Sequence, residues 1–180
     1  MKEVTLTIPD DLYKYLTFLE KRCLIKDKGQ ALTTALEFYK MFSMHEWFPY
    51  SYKMGGGRVV LMEVGAIKDL CHALTDEEVY TAAKMTAFKR KLVNPLLQGV
   101  DLTNLRNWDI VLREMEVMGW GKFTRVHNEV RVEFCPIPTP YLRGYLDTMF
   151  NVEFEEHKTK VPEMLVLIAK RRRRVKLEEV

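Results

Sequence analysis

The sequence predicts an α+β fold in two parts, a small N-terminal module of one strand and two helices followed by a mixed α+β domain. Three observations predict it. Polar and apolar residues alternate and two helical periodicities follow within the first 45 residues, three glycines interrupt the chain at 55–57, and strand and helix patterns alternate from there onward. We therefore divide the chain into a module (1–45), a linker (46–57), a domain (58–170) and a basic tail (171–180).

The module begins with a strand, because residues 4, 6 and 8 are apolar and alternate with polar ones. Pro9 ends that strand and suits the first turn of a helix, with two acidic residues after it near the positive helix N-terminus. Apolar residues then recur at helical spacing, at Leu12, Leu16, Leu19 and Cys23. After a break at residues 25–29, a second helical pattern runs to about Phe42.

A module of this size cannot bury enough apolar surface alone, and its single strand has no partner within the module. Pairing with the same strand of a second chain solves both problems. We therefore expect a homodimer in which a two-stranded antiparallel ribbon covers a four-helix core.

The run VTLTIPDDLYKYLTFLEKR, followed by KDKGQALTTALEFY, resembles the ribbon-helix-helix family typified by MetJ, Arc and CopG. The resemblance covers about a quarter of the chain. In that family the outward side chains of the ribbon enter the major groove of DNA, and the N-terminus of the second helix holds a phosphate. The resemblance therefore implies a dimeric DNA-binding module.

The resemblance also implies which residues contact DNA. Glu3, Thr5 and Thr7 become the candidate base readers, because a Thr hydroxyl can bond base edges and Glu can accept from cytosine N4. The candidate phosphate contacts lie at the start of the second helix, where unpaired N–H groups suit an anion, and are Lys28, Gly29 and Gln30. The alternative is that the module only dimerises the protein, because residues 1–45 carry seven cations and six anions.

The linker combines aromatic residues with the three glycines. Without a phosphate-binding signature after them, three consecutive glycines predict a hinge or turn rather than a nucleotide loop. We interpret the aromatic residues between 47 and 52 as covering a contact between the two parts of the chain rather than as stacking on bases.

The second domain alternates strands and helices. The predicted helices span residues 75–92, 101–118 (closed by Gly119) and 141–150. A strand is predicted at Arg58 to Val64, a hairpin at 120–125 and 129–134, and two final strands near 152–156 and 164–170. This order, with the segments GWGKF and CPIPTPYLRGYLDTMF, is similar to the 4-vinyl-reductase-like and TRAPP-like ligand-binding family. The similarity implies either an apolar ligand between helices and sheet or a second dimerisation surface.

The sequence offers little for catalysis or metal binding. Its four histidines and three cysteines include one close pair, Cys71 and His72, and adjacent residues on a helix or strand point in different directions. Neither metal-ligand spacing nor a nucleophile elbow, Walker loop or dinucleotide fingerprint is found. We interpret the glutamates at 153, 155, 156 and 163 as a solvated strand face. We expect no enzyme activity, no metal and no cofactor.

Charge and composition limit the kinds of partner that the protein can bind. Six of the 28 lysines and arginines lie between residues 170 and 176, and the other 22 are outnumbered by 25 acidic residues. DNA contacts must therefore come from local groups, and the basic tail is either an extra phosphate-binding arm or a solvated end. Neither a signal-peptide core nor a membrane-length apolar run is apparent, and cysteines are few, so we expect a cytoplasmic protein that does not enter a membrane.

These observations favour a transcriptional regulator that binds double-stranded DNA as a homodimer or higher oligomer. Its second domain would sense a small-molecule effector or extend the oligomer. Two alternatives stay open: an antitoxin-like protein that binds a protein partner, and a small-molecule-binding protein that uses the module mainly to dimerise.

Overall fold

The structure is a computed structural model that describes residues 5–49, 51–54 and 57–172. It is an α+β protein, as the sequence predicts, and it divides into two compact units between Lys53 and Met54. No helix within these residues is long and apolar enough to cross a membrane.

The first unit contains two helices, α1 (Asp10–Lys21) and α2 (Lys28–Met41), and a short 3-10 turn at Met44–Glu46. Both predicted helices are confirmed. Pro9 is the N-cap of α1 and, with φ −57°, holds the backbone in the extended conformation that precedes the helix. Residues 5–9 form neither helix nor strand in this single chain. Val4, the first residue of the predicted strand, lies outside the described residues.

Two short strands follow, β1 (Tyr52–Met54) and β2 (Gly57–Val59), and they pair with each other. Gly55 and Gly56, two of the three glycines where a hinge or turn is predicted, lie outside the described residues. The strand predicted from Arg58 to Val64 is wrong beyond Val59, because Val64 begins a helix, α3 (Val64–His72), that the sequence analysis missed.

The second unit is a four-stranded antiparallel sheet covered by helices. Its helices are α4 (Asp76–Val93), α5 (Trp108–Val117) and α6 (Thr139–Phe150). Its strands are β3 (Lys122–Val126), β4 (Glu129–Glu133), β5 (Val152–Lys158) and β6 (Met164–Arg172), in the order β3-β4-β6-β5. The predicted hairpin and the two final strands are confirmed. The helix predicted from residue 101 begins only at Trp108, after a 3-10 turn at Leu105–Asn107.

Large apolar side chains fill the layer between helices and sheet. Trp108 stacks on Phe150 with ring centroids 4.3 Å apart, and Phe154 lies 5.5 Å from the same indole. All three side chains are essentially inaccessible to solvent. On β4, Val130 and Val132 are buried and the residue between them is exposed, so the helices cover one face of the sheet.

The helices α4 and α6 cross at Gly144. A Cβ atom built on this glycine would lie 2.3 Å from the carbonyl oxygen of Tyr80 and 3.1 Å from the Cβ of Ala83. Because the close contact is to backbone, only glycine permits the two helices to approach this closely.

Candidate nucleic-acid interface

The segment before α1 is extended and open to solvent. Thr5 and Thr7 are exposed, and Ile8 is partly covered. Leu6, which the alternation assigns to the core-facing side of a ribbon, is 64% exposed. Among the described residues, no backbone hydrogen bond pairs this segment with another strand. The third candidate base reader, Glu3, lies outside the described residues.

The two helices of the first unit bury no residue in a single chain. Their apolar stripes are instead open, with Leu12 50% exposed and Leu36 68% exposed. Only a few side chains between the helices, such as Leu16, Leu19 and Leu32, are partly covered. Folded globular units normally bury several apolar side chains completely, so the described part of this unit lacks a closed core of its own.

The N-terminus of α2 is closed by a side chain that the sequence analysis did not single out. Asp27 is the N-cap, and its Oδ1 accepts a hydrogen bond of 2.7 Å from the backbone N–H of Gln30. The Gln30 side chain reaches back, and its Oε1 accepts from the backbone N–H of Lys26 at 2.9 Å. The spacing of Asp27 and Gln30 is the capping-box pattern, which was visible in the sequence.

The other two candidate phosphate contacts also lie at this helix end. The ammonium group of Lys28 forms an ion pair with Glu20 of α1 and lies 5.3 Å from the ring centroid of Tyr13. The hydrogen bond that Lys28 donates to Glu20 raises the pKa of Lys28, so its side chain is charged at neutral pH. A Cβ on Gly29 would lie 3.2 Å from the capping oxygen of Asp27, so glycine leaves room for the cap.

This geometry brings Lys28, Gly29 and Gln30 together at one helix end, where a phosphate could approach. It also places the carboxylate of Asp27 there, and a carboxylate repels phosphate. An anion that binds at this end must therefore compete with Asp27 for the N–H of Gln30 and with Glu20 for Lys28.

The aromatic residues after α2 pack on one another within the first unit. Phe38 stacks on Phe42, Phe42 contacts Trp47, and the rings of Trp47 and Tyr52 lie 4.6 Å apart. The indole N–H of Trp47 donates a 2.8 Å hydrogen bond to the carbonyl oxygen of Lys53. These contacts form a small aromatic cluster at the C-terminal end of α2.

The second unit contains a groove of about 570 Å³ at one end of the sheet, whose lining includes Lys68 of α3, Val132, Phe134 and Leu165. Cys135 also lines it, and burial raises the pKa of its thiol. A thiol that stays protonated is a weak nucleophile. The layer in which the similarity to ligand-binding domains places an apolar ligand is instead filled by the core around Trp108.

A partly buried ion pair links α4 to α5 in the same unit. The guanidinium of Arg90 donates to both carboxylate oxygens of Glu114, and the Asn94 side-chain amide donates to Glu114 Oε1 at 2.7 Å. Because the partners satisfy one another, we assign this network to structure. Across the described residues, no group of three or more His, Cys, Asp or Glu side chains could hold a metal ion.

Comparison of the chain with protein-family models, with curated proteins and with solved structures finds no match.

Proposed function

We propose that this protein is a sequence-specific DNA-binding regulator that acts as a homodimer through residues 1–45. One observation carries the proposal: the first unit combines an extended, unpaired segment with two helices that bury no residue. A second copy would pair the segment into a ribbon and cover the open apolar stripes. This is the ribbon-helix-helix arrangement that the sequence resembles, and it would turn Thr5 and Thr7 outward together.

The charge of the module points to base contacts as the main source of selectivity. A ribbon entering the major groove reads hydrogen-bond groups that differ between base pairs, whereas phosphate contacts bind any sequence. With seven cations and six anions in residues 1–45, the module has little excess charge to attract phosphate.

A second candidate function is dimerisation alone. The observation in its favour is the Asp27 carboxylate at the start of α2, since it occupies the N–H group of Gln30. In that case the ribbon would assemble the protein and the second unit would act, on a small molecule or a protein partner.

Selection from a random duplex library distinguishes the two. We expect the wild-type chain to enrich a palindromic or repeated sequence, and the double variant Thr5→Ala/Thr7→Ala to lose that preference by about 1–3 kcal/mol per base contact, with an unchanged salt slope. A matched control, Thr81→Ala/Thr124→Ala, removes two exposed threonines of the second unit and should leave the preference intact. Enrichment of no sequence by the wild type would favour dimerisation alone.

A further inference from the structure

A second groove, of about 530 Å³, lies in the second unit between the first turns of α4, the start of α6 and the edge strand β5. Its lining includes Asp76, Tyr80 and Lys84 from α4, Arg143 from α6 and Glu156 from β5. Its volume lies within the range of small-molecule sites, roughly 300–1,000 Å³.

The walls of this groove are held rigidly. Tyr80 of α4 donates a 2.7 Å hydrogen bond from its hydroxyl to Asp147 Oδ2 of α6, and Asp147 Oδ1 accepts from the backbone N–H of Phe154 in β5 at 2.9 Å. Asp147 is buried, so one carboxylate ties the three elements together. A capping box between Thr75 and Glu78 fixes the start of α4. Preorganised walls lower the entropic cost of binding a small ligand.

The charges in the groove are not matched to one another. The Nε of Arg143 is shielded from solvent and has no hydrogen-bond partner among the described residues, which is unusual for a buried donor. An Arg guanidinium has a planar fork of donors that fits a carboxylate. Lys84 lies 5.6 Å from the ring centroid of Tyr80. These two cations share the groove with four carboxylates, those of residues 76, 77, 153 and 156.

We propose that this groove binds a free amino acid with a cationic side chain. Its α-carboxylate would pair with the guanidinium of Arg143, which lines the groove. Its two positive groups would meet the carboxylates of α4 and β5, which outnumber the cations of the groove by two. A polyamine would match the acidic side chains and leave Arg143 unpaired, whereas a dicarboxylate would add negative charge to an acidic groove. The proposal stands apart from DNA binding, since it concerns the second unit alone.

Isothermal titration calorimetry of the full chain tests this with four probes. L-Lysine and L-arginine carry the full set of groups, 6-aminohexanoate lacks the α-ammonium of lysine, and cadaverine lacks its carboxylate. We expect L-lysine or L-arginine to bind at one site per chain, and both truncated probes to bind about tenfold more weakly or worse. Absence of binding by both amino acids up to about 10 mM overturns the proposal. Equal binding of cadaverine also overturns it in favour of a polycation site.

Paired variants locate the site. Arg143→Met keeps an unbranched apolar stem and removes the guanidinium, so we expect amino-acid binding to weaken by about tenfold or more. Arg106→Met, at an exposed arginine outside the groove, is the matched control and should bind like the wild type. Glu156→Gln serves as a second variant and should weaken L-lysine binding while changing little in volume. If Arg143→Met and Glu156→Gln both bind the amino acid as the wild type does, the ligand binds elsewhere and the assignment is wrong.

Discussion

At the N-terminus of α2, Asp27 both stabilises the helix and places negative charge where the proposed interface would meet a DNA phosphate. Its carboxylate satisfies the N–H of Gln30, which would otherwise be available to an anion. Two substitutions separate these effects, because serine keeps the capping hydrogen bond without the charge.

We expect Asp27→Ala to lower the free energy of unfolding by about 1 kcal/mol and Asp27→Ser to leave it nearly unchanged. If α2 points at DNA, Asp27→Ser should also tighten DNA binding about two- to fivefold at low salt, the effect of one charge near a helix end. Chemical denaturation and DNA titration of the two variants measure both effects. Unchanged affinity in Asp27→Ser would place the helix end away from DNA.

The ion pair between Asp109 and Arg125 makes the stability of the folded protein depend on pH. Arg125 donates two hydrogen bonds to this carboxylate, at 2.8 and 2.9 Å, and they hold the pKa of Asp109 below its ordinary value of 3.8. A carboxylate with a lowered pKa in the folded state adds stability above its unfolded pKa and loses it as the pH falls through the folded one. The added stability is therefore complete at neutral pH and is lost progressively as the pH falls below about 3.8.

Accordingly, Asp109→Asn should be less stable than the wild type at pH 7, and the difference should shrink as the pH falls below 3.8. Denaturation midpoints across a pH series measure this difference. A difference that is the same at pH 7 and at pH 3 would show that the ion pair is not the cause. Because the Asp109 side chain is about half exposed, we expect a small effect.

The residues of the candidate interface show which contacts of single residues can be predicted from the sequence. The sequence predicted that Lys28, Gly29 and Gln30 meet at a helix start, because that depends on local pattern. It did not predict that Lys28 would pair with Glu20, which comes eight residues earlier and is brought close by the turn between α1 and α2. Arg143 was missed for the same reason, since its groove joins α4 to α6 and β5, which lie far from α4 in sequence.

At the scale of elements, the crossing of α4 and α6 depends on Gly144. We expect Gly144→Ala to destabilise the protein by about 3 kcal/mol, because its Cβ would meet the backbone carbonyl of Tyr80 at 2.3 Å. Gly65→Ala in α3 is the matched control. Its Cβ would meet nothing closer than 3.7 Å, and alanine favours a helix over glycine by about 1 kcal/mol. Thermal unfolding of both variants compares them, and equal effects would contradict the close crossing.

Elements with long, regular patterns were predictable, and short apolar runs were not. α4 carries a capping box at its start and 18 residues of helix, and both signals lie in the local sequence. The run from Arg58 to Val64 is too short for its periodicity to separate strand from helix. Before α5, the side chain of Asp101 accepts from the backbone N–H of Thr103 at 2.9 Å, a local turn that competes with helix.

For the whole molecule, the contrast between the two units is the main result. The second unit closes a core around Trp108 and buries many large side chains completely. Over residues 5–49 and 51–53 of the first unit, no residue is buried. A second copy would cover the exposed apolar side chains of the first unit. Dimerisation and the proposed DNA binding therefore depend on the same surface.

Leu6 allows the most direct test of dimerisation through the first unit. In a single chain it is 64% exposed, so lysine there should cost a monomer almost nothing. In the ribbon dimer the same lysine would place a charge in the shared core and oppose assembly. Leu96→Lys, at a leucine of the second unit that is 67% exposed, is the matched control.

Sedimentation equilibrium of the wild type, Leu6→Lys and Leu96→Lys over a range of micromolar concentrations measures the outcome. We expect a dimer for the wild type and for Leu96→Lys. For Leu6→Lys we expect a shift to monomer, with loss of helical signal from the first unit. A folded wild-type monomer, or a Leu6→Lys variant that assembles like the wild type, would contradict it.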